Sequence, residues 1–138
     1  MREINKIIVH TAYTTPDMDI GVEEIRDWHV NGNGWSDIGY HYVIRRDGTV
    51  EDGRPVEKAG AHTLGQNADS IGICLVGGKE ASTGYSVFNY TLAQMGALLD
   101  LLEELVVEYS LVKQSIFGHN EFSPKACPCF DVKAYLST

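Results

Sequence analysis

The sequence predicts an α/β fold: a single domain with a central mixed β-sheet flanked by helices. Three observations carry this. Short β-branched apolar runs, "NKIIVH" (5–10) and "SIGICLVGG" (70–78), are bounded by turn residues, as buried strands are. A long segment, 91–109, repeats its apolar residues at helical spacing. Strand-like and helix-like segments alternate along the chain.

In chain order, 5–10 is the first strand, and "TTPDMDIG" after it is turn-rich loop. "GVEEIRDWHVNG" (21–32) has acidic residues early and a glycine at its end, which predicts a helix. "IGYHYVIRRDGTVEDGR" (38–54) reads as a hairpin closed by Asp47-Gly48 as a two-residue turn. Residues 70–78 form a continuous apolar run, as a central strand does. Thr91 and Gln94 make a capping-box pattern at the start of the long helix. Leu92, Met95, Leu99, Leu102, Val106 and Tyr109 are expected to form its core face. "QSIFGHN" (114–120) is a short strand and "FDVKAYL" (130–136) a short closing helix. No repeat, low-complexity segment or linker interrupts the chain, so one domain over residues 1–138 is expected.

Composition narrows the function. The formal net charge is -8, and the eleven Lys and Arg residues are scattered, which argues against a nucleic-acid surface. No segment approaches the ~20 apolar residues of a membrane span, so no membrane insertion is expected. "KIIVH" is too short for the apolar region of a signal peptide, so synthesis in the cytoplasm is expected. Three cysteines are an odd count and do not suggest a disulfide framework.

The chemistry concentrates in "GHNEFSPKACPCFD" (118–131), which holds two of the three cysteines. His10 ends the first strand, His119 ends the late one, and Cys127 follows in a proline-bounded loop. Two imidazoles and a thiolate are a sensible zinc donor set that leaves a fourth position open for water. Strand ends feeding loops are also where sites gather on open sheets. A histidine at a strand end is nonetheless more often structural, so spacing alone leaves both readings open. Side chains alternate along "GYHYVI", so Tyr40 and His41 point to opposite faces and only one can face such a site. Cys127 and Cys129 are too close in sequence for ordinary disulfide geometry, and their spacing is one residue short of a redox pair. Cys74 reads as a small buried hydrophobe and His29 as a partly exposed helix residue.

Four motifs occur in order: "IIVHTA", "GWSDIGYHYVIRRDGTV", "AGAHTLGQNADSIGICLVGG" and "GHNEFSPKACPCFD". Together they resemble the zinc-dependent N-acetylmuramoyl-L-alanine amidases of the amidase-2 type, most of all the amidase-type lysozymes of bacteriophages. The likeness spans about residues 4–136 and implies the fold shared with peptidoglycan recognition proteins. It implies zinc (Zn2+) held by His10, His119 and Cys127, with Tyr40 and Lys125 as catalytic residues. His62 and Asn67, in the loop motif, are implied as substrate contacts. Trp35 is placed with them at the cleft rim, although core packing would suit it equally. Cys129 departs from the usual pattern, and a second thiol there could compete as a ligand.

The resemblance implies cleavage of the amide between N-acetylmuramic acid and L-alanine in peptidoglycan. An enzyme of that kind is expected to be a monomer and to reach the wall after release, with a membrane-permeabilising holin supplying the route. Two alternatives stand beside this: a non-catalytic peptidoglycan-binding module, and an amidase with a second, regulatory protein-binding role. The first usually lacks the cysteine ligand. A metal-dependent nuclease is disfavoured by the acidic charge and the thiolate. Local positive charge toward the substrate's carboxylates is expected from Lys125, Arg45, Arg46 or Lys58.

Overall fold

The computed structural model describes residues 1–137. Its strands are β1 (Lys6–Thr11), β2 (Tyr42–Ile44), β3 (Val50–Asp52), β4 (Ser70–Leu75) and β5 (Ile116–Gly118), and its α-helices are α1 (Val22–Asp27), α2 (Leu92–Glu108) and α3 (Val132–Leu136). The strands form one sheet in the order β3-β2-β4-β1-β5. β1 pairs in parallel with β4 and β5, and β2 in parallel with β4. Only β3 runs antiparallel, against β2. The mixed α/β architecture expected from the sequence is thus present.

β1 and β4 are buried on both faces, which is why both read as near-continuous apolar runs. Ile7, Val9, Ile71, Ile73 and Leu75 face α2 and join Leu98, Leu102 and Leu105 in the main core. On the other face, Cys74 and Val43 pack with Ile25 and Val22 of α1. Cys74 is fully buried there, as expected for a small hydrophobe. His10 pairs in register with Cys74, so its ring leaves the sheet on this second face, away from α2.

The capping box of α2 is present: Thr91 Oγ1 accepts from Gln94 N–H and Gln94 Oε1 accepts from Thr91 N–H, both at 3.0 Å. Gln94 is itself buried and donates Nε2 to the carbonyls of Ile44 and Val76, tying the helix start to the ends of β2 and β4.

Three expectations are corrected. The core face of α2 is Met95, Leu98, Leu101, Leu102 and Leu105, whereas Leu92 is 93% exposed and Leu99 43% exposed. Apolar residues cover more than half of this helix, so two stripes of helical spacing were available, and packing on the sheet selects the other one. The hairpin loop has three residues, not two: Arg45 N–H bonds Thr49 O, Gly48 N–H bonds Arg45 O, and Gly48 sits at φ +90° as the bulge residue. The helix over 21–32 is α-helical only to Asp27 and finishes as a π-turn, Trp28–Gly32.

Candidate metal and active site

Four strands run parallel, so their carboxyl ends share one edge of the sheet. His10 is the penultimate residue of β1, and His119 follows directly on β5. Their ring centroids are 4.6 Å apart. The loop after β5 returns Cys127 to the same edge, where Thr11 N–H donates to its Sγ at 3.1 Å. One ligand atom from each of His10, His119 and Cys127 falls within 4.8 Å of the others. His10 Nδ1 is the nitrogen that faces Cys127 Sγ, at 3.8 Å. Two imidazoles and a thiol so grouped are a donor set that fits a borderline-soft divalent ion.

These groups are held in their neutral forms. Burial drives His10 well below the usual histidine range, helped by His62 and His119. His119 is lowered by burial and then by the Lys125 charge. Burial pushes the Cys127 thiol up to about 11, with the Thr11 N–H and Lys125 acting in the opposite sense. Neutral imidazoles are the ligand form, and a thiol must lose its proton to join them.

A cavity of about 500 Å³ opens over the cluster. Tyr40 lines it, its ring 5.1 Å from that of His10. Burial, the thiols of Cys74 and Cys127, and a hydrogen bond with Cys74 raise the Tyr40 phenol well above its ordinary value, so it stays protonated. Lys125 lines this cavity and a second one of about 510 Å³ that shares Trp35, His62 and His119 with the first. Among the described residues, neither cavity has a carboxylate in its lining, and Lys125 is the one Lys or Arg. Arg45 is instead paired with Asp19 and Glu51, and Arg46 is spent on Asn89 O and Gln94 Oε1. The electronegative balance of the whole chain therefore does not extend to this groove.

Strand alternation does not separate Tyr40 from His41 as expected: both precede β2, and the His41 ring lies 5.9 Å from that of His62, behind the cavity lining rather than on the other face of the sheet. His41 Nδ1 accepts from Gly72 N–H at 3.0 Å and its Nε2 donates to Lys58 O at 2.9 Å. His62 lines both cavities, but its two nitrogens have protein partners, His10 and Ser70. Asn67 borders the second cavity, and its Oδ1 accepts the N–H groups of His62 and Thr63. Trp35 stands at the rim of both cavities, its ring 4.7 Å from that of His29. The three cysteines are free, and Cys129 Sγ donates to Gly78 O at 3.4 Å.

Several residues of the cavity lining escaped the sequence reading, Tyr13, Ser86 and His29 among them. His29 lines the first cavity from the π-turn, with Nδ1 accepting from Gly39 N–H at 2.9 Å. Helical periodicity cannot find it, because the extra residue of a π-turn rotates the side chains that follow.

Fold and site together define a class: an α/β domain with three converging nitrogen and sulfur donors at the carboxyl edge of its sheet and a cavity over them lined by Tyr40 and Lys125. Within that class, the chain belongs to the family whose model is described as N-acetylmuramoyl-L-alanine amidase, which matches residues 1–130. It is 48% identical over 134 residues to the endolysin of Klebsiella phage KP32, covering 97% of this chain and 86% of the relative. Its fold matches the N-acetylmuramoyl-L-alanine amidase LysC from Clostridium intestinale URNW with a TM-score of 0.80 at 30% identity, covering 99% of this chain and 87% of that one. It also matches bumblebee PGRP-SA, with a TM-score of 0.78 at 24% identity over 100% of this chain and 83% of that one. That last likeness is one of fold alone.

Proposed function

We propose that this protein hydrolyses the amide between N-acetylmuramic acid and L-alanine in peptidoglycan, with one zinc ion held by His10, His119 and Cys127. The observation that carries the reading is the convergence of those three ligand atoms within 4.8 Å, in a chain of the amidase family. A mixed nitrogen and sulfur set favours zinc over hard cations such as magnesium or calcium. When bound, zinc supplies a Lewis acid and brings the pKa of a coordinated water down to roughly 7.

The chain's own residues supply the rest. Lys125 brings an ammonium to the cavity, to stand beside the carbonyl oxygen as it turns negative. Tyr40, held protonated, offers a hydrogen bond to the reacting groups from the cavity wall. The carboxylate-free groove, with Lys125 in the lining of both cavities, suits a stem peptide that carries carboxylates of its own. Substrate contacts are assigned to Trp35, which lines both cavities, and to Asn67, which lines the second.

The match to a phage endolysin supports a role in cell-wall lysis after release from the cytoplasm. Access through a holin and action as a monomer belong to the same proposal. No helix among the described residues is long and apolar enough to cross a membrane.

The test is mass spectrometry of purified peptidoglycan digested by the purified protein, with and without a zinc chelator. Free stem peptides beginning at L-alanine, released only without the chelator, are the expected result. Intact glycan–peptide links from a zinc-loaded protein would overturn the proposal.

A further inference from the structure

We propose that His62 is a positioning residue of the metal centre: its imidazole accepts the Nε2 proton of His10 and so leaves His10 Nδ1 bare toward Cys127. The inference rests on the zinc reading above, and its geometry stands apart from any substrate contact.

His10 Nε2 lies 2.8 Å from His62 Nδ1. His62 Nε2 lies 3.2 Å from Ser70 Oγ. A neutral imidazole carries one N–H, so the 2.8 Å contact holds one proton, on one ring or the other. If His62 held it, His10 would carry its own proton on Nδ1, aimed at Cys127 Sγ, and could not be a ligand. If His10 holds it, every group is served. His10 Nε2–H donates to His62, His62 Nε2–H donates to Ser70, and His10 Nδ1 is free. A ligating histidine commonly gives its other N–H to a carboxylate, a carbonyl or water. Here a second histidine takes that place.

The His62 ring is held for this task from several sides. It lies flat over β4, where a Cβ on Gly72 would come within 2.6 Å of its Cδ2, and one on Gly60 within 2.8 Å. It meets the His10 ring edge-on, with centroids 4.8 Å apart and planes at 88°. Asn67 Oδ1 fixes its backbone by accepting both His62 N–H and Thr63 N–H. Thr63 Oγ1 sits in the fork, 3.1 Å from His62 Nδ1 and 3.3 Å from His10 Nε2, and shares the same proton. A substrate hydrogen bond to His62 would have to break the contact with His10 or with Ser70.

The experiment is a zinc competition titration of the full chain against a chromophoric chelator at neutral pH, with circular dichroism confirming the fold of each variant. One zinc per chain in the wild type, lost in Cys127→Ser, establishes the underlying centre; a wild type that binds no zinc overturns that reading and this inference together. Given the centre, His62→Phe is expected to weaken zinc binding by roughly 10–100-fold. His62→Asn, whose amide oxygen reaches the Nδ1 position, is expected to keep most of the affinity, and His62→Gln, whose amide reaches the Nε2 position, to lose it. That ordering holds the test together even if the Phe variant does not fold. Zinc affinities within twofold of wild type in His62→Gln or in folded His62→Phe, with only KM raised, would overturn the inference and make His62 a substrate contact.

Discussion

His10 Nδ1 and Cys127 Sγ lie 3.8 Å apart although 117 residues separate them in sequence. The pair joins β1, an inner strand of the sheet, to the loop between β5 and α3, so the donor cluster exists only when β1 and β5 are paired. Cys127→Ser replaces a soft donor with a hard, weakly ligating hydroxyl. Zinc affinity is expected to fall by on the order of 100-fold or more, and stem-peptide release to fall with it. Equilibrium dialysis followed by metal analysis reads the first, and mass spectrometry of digested wall the second.

Lys125 is the lone permanent cation in the lining of the groove among the described residues. Lys125→Met is expected to lower kcat by about 10²–10³ with zinc stoichiometry unchanged. Parallel measurement of turnover and bound metal separates this from loss of the centre.

Tyr40→Phe removes a hydroxyl and leaves the ring packed 5.1 Å from His10. Turnover should drop by about 10²–10⁴ while zinc content and melting temperature hold. A variant that keeps wild-type turnover would remove Tyr40 from the chemistry.

His41→Phe should leave zinc content unchanged, because His41 serves the backbone of β4 and of the 58–60 segment rather than the centre. It strands the buried Gly72 N–H, at about 1–3 kcal/mol, and leaves the Lys58 C=O, on an exposed residue, to water. It also changes the acid response. Burial lowers the His41 pKa from 6.5 to about 4 in the folded chain. The unfolded chain therefore takes up a proton first as pH falls. The neutral ring's contribution is fully present above pH 6.5 and is lost between pH 6.5 and about 4, reaching about 2 kcal/mol by pH 5. Urea midpoints of the metal-free protein at pH 7 and pH 5 should thus converge more closely in His41→Phe than in wild type.

On α2, Leu105→Ala is expected to cost about 2–5 kcal/mol, since Leu105 is 2% exposed in the main core. Leu92→Ala, at a position 93% exposed, is expected to stay within about 0.5 kcal/mol of wild type. Thermal melts of the two variants decide which face of the helix is buried.

The last prediction marks where the sequence was ambiguous. β1 and β4 were legible because strands buried on both faces are apolar throughout and have no face to misassign. The start of α2 was legible because Thr91 and Gln94 satisfy each other locally. Its buried face was not, because Leu92 and Leu99 are as apolar as Leu98 and Leu105, and only the sheet distinguishes them. His10, His119 and Cys127 could be picked out from short motifs at strand ends, and those residues do converge. The role of His62 was hidden, since its partners His10 and Ser70 are 52 and 8 residues away in sequence and meet it only across β1 and β4. His29 was hidden by the π-turn that carries it.

The hydrogen bond from Thr11 to Cys127 Sγ is made by the main chain. Its donor is therefore encoded by no side chain at all. Any of the other amino acids placed at position 11 would still present that N–H to the sulfur, with proline the single exception. A saturation scan at this position would report on the Thr11 hydroxyl, which bonds Gly77 O, and would pass over the amide. Part of the centre is in this sense written into the path of the backbone, beyond the reach of ordinary point mutation. Only an amide-to-ester replacement, made by chemical synthesis or semisynthesis, would remove that one proton and leave every side chain in place.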